Sequence, residues 1–437
     1  MKSVNQSIKP TTAKINDKGH IELGGCDCVE LAREYGTPLY VIDEQTLRTV
    51  AREYKEAFKD YPNVRMMYAS KALMNKAIAK IFSQEGFGFD VVSGGELYTV
   101  SKAGVDLSNV TFNGNNKSVS ELEMALDLSV GRVSVDNFYE LELLNSLAQK
   151  KNKIQKIYLR ITPGIECHTH EYIQTGQIDS KFGFDLSQLD AAFEKIQNEY
   201  KNLCPVGLHA HIGSQIFETK VYEDEVKILI KEFERIKEKF GIELDEMNLG
   251  GGVGIKYTRE DTPPSVYDVA KIIINAVKNN TDKFPKLFIE PGRSVVSTAG
   301  ATLYTVGSSK RVPQGTKYVA VDGGMSDNPR PITYQAKYCA DVVNKPEAKE
   351  LEKVTIAGRF CESGDILIKD IELPKLESGD VLCVWGTGAY NYSMASNYNR
   401  VLKPAMILVN NSQSVIIVER ETYEYMCAND KMPAHLK

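Results

Sequence analysis

The chain has 437 residues, enough for two domains or one large barrel with an appendage, and its 42% apolar content supports a full core and excludes global disorder. Lys+Arg total 53 and Asp+Glu 58, a net charge of −5, so the basic field that nucleic-acid binding requires is missing. No apolar run approaches a membrane span, the N-terminus MKSVNQSIKP has no apolar leader core, and 8 cysteines are too dilute for a disulfide scaffold, so a cytoplasmic α/β enzyme is expected.

Residues 1–12 carry no periodic signal and are expected to be loose. Ile21–Leu23 and Gly24-Gly25 carry strand and turn signals, so the first 36 residues are expected to pack on a β domain. Nine strand-like runs follow: Leu39–Ile42, Arg65–Ala69, Gly88–Val92, Val110–Asn113, Arg132–Val135, Lys156–Thr162, Val206–Ile212, Asp245–Leu249 and Lys286–Glu290. Helix-period segments lie between them. Val221–Phe240 places Val226, Leu229, Ile230, Phe233, Ile236 and Phe240 on one face, and Leu186–Tyr200 and Val266–Val277 read alike. Alternating strands and helices imply parallel strands, and eight such units close a (β/α)8 barrel in about 250 residues. The ninth run, Leu39–Ile42, either lies outside the barrel or leads the chain into it.

After Glu290 the texture changes. Tyr304–Val306, Tyr318–Val321, Val354–Ala357, Val381–Val384, Ala405–Val409 and Ser414–Glu419 are strand-like and separated by Gly, Pro and Asp turns. The fold expected is α/β: a (β/α)8 barrel over 37–290 and a mostly antiparallel β domain over 291–437, sandwich-like or barrel-like, which the 1–36 segment joins.

Polar residues cluster at the C-terminal ends of the barrel strands, where such folds carry their sites. They are Lys71, Asp90 with the run Ser93–Glu96, the run Asn113–Lys117, His209, His211, Ser214, Gly250–Gly252, and Glu290 with Gly292 and Arg293. Singly, each has an ordinary reading: a solvated lysine, a turn, a core histidine. The pair His209/His211 lacks a third ligand at workable spacing, so no metal is expected. Cys26-x-Cys28 is read as silent. Together the residues describe a different chemistry. Glycine N–H groups cradle phosphate, Arg293 and Ser214 add a cation and a hydroxyl, and Lys71 forms an imine with an aldehyde. Glu290 can pair with a protonated ring nitrogen, and His211 can stack on the ring. That set describes pyridoxal 5′-phosphate.

The sequence resembles the barrel-type (fold type III) pyridoxal-phosphate decarboxylases, and their diaminopimelate-specific branch most closely, from about residue 30 to about 410. YASKA (Tyr68–Ala72), DVVSGGEL (Asp90–Leu97), HAHIGSQ (His209–Gln215), NLGGGVGI (Asn248–Ile255) and EPGRS (Glu290–Ser294) stand in family order. VDGGMSDNPRPITY (Val321–Tyr334), CESGD (Cys361–Asp365), GAY (Gly388–Tyr390) and SNYN (Ser396–Asn399) continue it. The chain departs from the family pattern at Leu73 and Ala210, neither a reacting group. The resemblance implies that Lys71 carries the cofactor and that His211 covers the ring. Glu290 meets the ring nitrogen. Asp90, Ser214, Gly250, Gly251, Gly252, Gly292, Arg293 and Tyr390 surround the cofactor. Arg330, Tyr334 and Glu362 hold the substrate with Arg293 and Tyr390, and Cys361 is the general acid. It also implies a homodimer in which the Cys361–Glu362 loop enters the neighbouring subunit's site. The implied reaction turns meso-2,6-diaminopimelate into L-lysine and CO2, the last step of lysine biosynthesis. Arginine, ornithine and carboxynorspermidine are the alternative substrates. A non-catalytic cofactor-binding homologue is disfavoured because both Lys71 and Cys361 are kept. The stretch Glu166–Phe184 (ECHTHEYIQTGQIDSKFGF) resembles the diaminopimelate-specific members more than the ornithine enzymes.

Overall fold

The computed structural model describes residues 3–165, 180–313 and 315–436. Residues 166–179, which hold most of the loop singled out above, lie outside the described residues. The chain forms two compact units. One takes Arg48–Lys256 and Asp261–Val295 with the first residues through Ser7; the other takes Ile8–Leu47, Tyr257–Glu260 and Val296 onward.

The first unit is a closed parallel barrel. Its strands are β1 (Val64–Ala69), β2 (Gly88–Val91), β3 (Val110–Phe112), β4 (Arg132–Val135), β5 (Gln155–Thr162), β6 (Leu203–His209), β7 (Glu246–Asn248) and β8 (Lys286–Ile289). Each pairs in parallel with its successor, and β8 returns to β1 through Leu287↔Val64 and Ile289↔Met66. All eight fall on the expected runs. The short strand Phe184–Asp185 pairs in parallel with the end of β5, at Ile161 and Thr162.

Local chemistry keeps the strand-to-helix connections short. The helices Lys76–Gln84, Gly94–Lys102, Val119–Asp127 and Phe138–Lys150 begin at Asn75, Ser93, Ser118 and Asn137. Each side-chain oxygen accepts an N–H from the first turn, satisfying a donor the helix cannot. The helix Lys220–Phe240 buries Val226, Leu229, Ile230 and Ile236, while Phe233 and Phe240 are half-buried. It stops at Gly241, whose φ of +67° is a left-handed cap.

The end of the barrel away from the site is closed by a buried ion pair. Arg132 opens β4 and Glu246 opens β7, and the guanidinium meets both carboxylate oxygens. Tyr158 Oη donates to Glu246 Oε2 at 2.6 Å, and the guanidinium lies 4.7 Å from the centre of the Phe288 ring. Without Arg132, the buried Glu246 carboxylate keeps only Tyr158 and the more distant Lys286 Nζ at 3.6 Å. Arg132→Ala should therefore lower stability by about 3–5 kcal/mol, read as a fall in the urea midpoint with kcat retained. An unchanged midpoint would show that the pair does not hold the barrel.

Residues 3–12 are ordered rather than loose. Val4–Gln6 forms a 3-10 turn. Fully buried Asn5 donates from Nδ2 to Gly254 O and Pro264 O, both at 2.8 Å. Gln6 Nε2 donates to Pro263 O at 3.0 Å and Val4 N to Glu53 Oε2 at 3.1 Å, so polar contacts fix this segment, a signal without periodicity.

In the second unit, Gly300–Arg311 is the central strand. It pairs antiparallel with Lys317–Val321, with Val381–Trp385 and with Leu39–Asp43. Leu39–Asp43 also runs parallel to Ala405–Asn410, so this run lies outside the barrel. Leu351–Ala357 and Ile366–Pro374 extend one edge and Gln413–Val418 the other. Most pairings are antiparallel. Ile21, Leu23, Cys26, Cys28 and Leu31 share one core with Leu39, Val41, Leu303, Cys383, Trp385 and Ile407. No described helix is long and apolar enough to cross a membrane.

Candidate active site

Lys71 lies in the 3-10 turn Ser70–Ala72 that ends β1. Ser70 and Ala72 are buried, so the turn is anchored on both sides and the lysine side chain alone is exposed. Tyr68 braces the turn: its Oη donates to Leu73 O, and its ring stacks on Phe82 at 4.1 Å. Ala69 N donates to Pro291 O, and a Cβ on Gly292 would stand 3.0 Å from Ala69 Cβ.

After β7 the backbone of Gly250–Gly252 comes close to its neighbours. A Cβ on Gly250 would stand 2.8 Å from Ala210 O and from His211 Nδ1, and one on Gly251 2.3 Å from Glu290 O. Gly250 and Gly252 also have φ of +57° and +114°, which side-chain-bearing residues rarely adopt. The loop is thus restricted to glycine. Beside it, Arg293 donates from Nη2 to Ser214 Oγ at 2.9 Å.

The Gly251 N–H donates to His211 Nδ1 at 3.2 Å, which makes Nδ1 the acceptor. Burial, with Lys71 and Arg160 nearby, holds the His211 pKa well below the usual histidine range. His211 is therefore a neutral ring, suited to lying against another ring.

Two buried carboxyls share the floor. Glu290 Oε1 accepts from Asn248 Nδ2 at 2.6 Å and from Asn113 Nδ2 at 3.4 Å; Oε2 stands 3.4 Å from His209 Nε2. Burial alone would raise the Glu290 pKa, but His209, Asn248 and Lys71 outweigh it and leave it below the usual range. Asp90 ends β2 and accepts from the same Asn113 amide. Burial and the nearby Glu290 push its pKa up to about 8. One floor thus carries an ionised carboxylate and a protonated acid at neutral pH, the separation that acid–base sites use.

The second unit carries the other expected residues. Arg330 opens the short helix Arg330–Tyr334; it is 6% exposed, donates to Tyr338 Oη at 2.7 Å and lies 4.9 Å from the Tyr257 ring centre. Among the described residues no carboxylate pairs with it. Tyr334 and Tyr390 are half-buried, and Tyr390 has φ of +63°, unusual for a bulky side chain. Cys361 and Glu362 are exposed. Their loop is braced: Cys361 N donates to Asn399 Oδ1 at 2.9 Å, and the buried Asp365 carboxylate accepts from Phe360 N at 2.9 Å and Met325 N at 2.7 Å.

Three neighbours of the floor were assigned no role in the sequence. Asn113 and His209 sit in runs that were noticed, whereas Asn248 carries no signal beyond its place before three glycines. Lys117, in the run after β3, is not at the rim. It is buried, with Nζ on Glu140, Gly114 O and Ser134 O. Among the described residues there is no cluster that could hold a metal ion.

An exposed lysine, a glycine-only loop, a neutral imidazole and an ionised carboxylate on one barrel rim fit pyridoxal phosphate and define a barrel-type enzyme of that cofactor. The family model for the pyridoxal-binding domain of pyridoxal-dependent decarboxylases matches residues 47–297. A diaminopimelate decarboxylase from Bacillus methanolicus is 50% identical over 94% of this chain and 96% of its own; one from Synechocystis is 48% identical over 99% and 95%. The crystal structure of diaminopimelate decarboxylase from M. jannaschii in complex with L-lysine superposes with a TM-score of 0.92, at 38% identity and full coverage of both chains. The chain belongs to the diaminopimelate decarboxylases. It is a pyridoxal-phosphate-dependent lyase that acts on an amino acid.

Proposed function

We propose that this chain removes CO2 from meso-2,6-diaminopimelate to leave L-lysine, in the cytoplasm, as a homodimer whose active sites are shared. The family names carry the reaction, and the free state of every described cysteine accords with a reducing compartment.

Pyridoxal phosphate, when bound, supplies an electron-accepting ring for the bond that loses CO2. The chain supplies everything else. The Lys71 amine would be the group that holds the cofactor through its aldehyde. Gly250, Gly251, Gly252 and Gly292, which put no Cβ in the way, would hold the phosphate together with Ser214, Arg293 and Tyr390, the Gly250 and Gly251 N–H groups themselves being held by Asn248 Oδ1 and His211 Nδ1. The neutral His211 ring covers one face. Glu290 stays ionised and keeps a proton on the ring nitrogen, and Asp90 stands beside it as an acid. Cys361 returns a proton to Cα once CO2 has left.

Arg330 carries the choice of substrate. A guanidinium this buried, packed on two aromatic rings and paired with no described carboxylate, is costly unless the substrate brings one. Diaminopimelate brings a distal carboxylate; ornithine and arginine do not. Arg330 and Tyr334 hold that carboxylate, with Glu362 on the distal ammonium and Arg293 and Tyr390 toward the reacting end. CO2 release should be measured from meso-diaminopimelate, arginine, ornithine and carboxynorspermidine in parallel. Release from the first should exceed each of the others by at least about 10³-fold, the discrimination that an unpaired buried polar group imposes. Equal or greater release from ornithine would overturn this reading.

A further inference from the structure

His209 has no part in the reading above, yet it is built into the floor with unusual care. It ends β6 and is 2% exposed. Its Nδ1 lies 2.8 Å from Ser134 Oγ, a buried hydroxyl on β4. Its Nε2 is sealed from solvent and faces Glu290 Oε2 at 3.4 Å. Ser134 is fixed in turn, because its carbonyl accepts from buried Lys117.

These contacts determine where the protons stand. An imidazole with one proton can present N–H at only one nitrogen. When the Ser134 hydroxyl donates to Nδ1, the proton must reside on Nε2, facing the carboxylate. With Nδ1 protonated instead, a bare Nε2 lone pair would face Glu290 Oε2 in a dry cavity, which is repulsive. Burial lowers the His209 pKa and Glu290 opposes that shift, so the ring is neutral at working pH. The other titratable or charged groups around the pair are Lys71 after β1, Asp90 just inside the end of β2, Tyr158 and Arg160 on β5, and His211 after β6. Glu290 Oε1 is already held by two amides, so His209 is the donor that faces Oε2.

We propose that Ser134 and His209 form a positioning pair: Ser134 sets the tautomer, and the Nε2 proton of His209 orients Glu290 and keeps it ionised. This deepens the role given to Glu290 and rests on it.

The test compares pH profiles of kcat/KM and of the visible absorbance of the cofactor-loaded enzyme for wild type, H209L, H209Q, S134A and E290Q. Losing a hydrogen bond to the charged form raises a carboxyl pKa. The acid limb should therefore move up by about one pH unit in H209L. H209Q, whose amide still offers a donor, should stay near wild type. S134A should shift in the same direction as H209L but less, because both tautomers become available. A role in packing alone would lower stability in H209L and leave the limb where it was. An unmoved limb in H209L overturns the proposal; if H209L does not fold, an unmoved limb in S134A overturns it. E290Q separates this from the reading beneath it: wild-type rate and spectrum in E290Q remove Glu290 from its role, whereas a defective E290Q with an unmoved H209L removes only the positioning pair.

Discussion

Lys71→Ala should give a protein that folds normally, lacks the visible absorbance of the lysine-bound cofactor, and loses activity by about 10⁴-fold or more, as removing a covalent catalytic group does elsewhere. The reasoning starts from packing. Lys71 is exposed between buried Ser70 and Ala72, and the turn is held by Tyr68, Phe82 and the Ala69–Pro291 contact, none of which involve the lysine side chain. A substitution at such a position changes stability by about 0.5 kcal/mol at most. Without added cofactor, the melting temperature should thus match wild type. With cofactor it should fall short, because a weaker ligand stabilises the folded state less. A variant that keeps the wild-type spectrum would remove Lys71 from its role.

Cys361→Ala should likewise be inactive while binding cofactor with a normal spectrum, since its loop lies in the other unit. Mixing the two variants separates a shared site from a self-contained one. If each site joins the barrel of one chain to the Cys361 loop of a second, a heterodimer holds one site with both residues intact and one with neither. Random pairing of equal amounts makes half the dimers mixed, so about a quarter of wild-type activity should return. The exposed position of Cys361 and Glu362 supports the expectation. No recovery after subunit exchange, with heterodimers demonstrated by mass, would mean that each chain builds its site alone.

The barrel was legible because its strands are short β-rich runs between amphipathic helices. The second unit was read less fully. Ile366–Pro374 (ILIKDIELP) went unassigned because Asp370 sits at φ of +54° beside a register irregularity, which breaks the alternation. Ala340–Val342 is too short to register. At the site, the motifs proposed to hold the cofactor were visible as glycine runs and isolated polar residues at strand ends. The support was not. Ser134, His209, Asn113 and Asn248 are far apart in sequence and meet only when four strands close into a ring. No local pattern encodes that meeting.

The bracing of the Cys361 loop has a consequence for where the protein tolerates change. Asp365 is wrapped so tightly that a Cβ on Gly358 would stand 2.1 Å from its Oδ2, and one on Gly324 2.5 Å from its Oδ1. Two glycines with no chemistry of their own therefore restrict the shape of the loop that carries the exposed Cys361 and Glu362. With that shape set within one chain, docking onto a second chain in the proposed dimer would cost little loss of backbone freedom. Gly324 and Gly358 should therefore tolerate substitution less well than the exposed side chains around the Cys361 thiol, because a Cβ at either meets the Asp365 carboxylate.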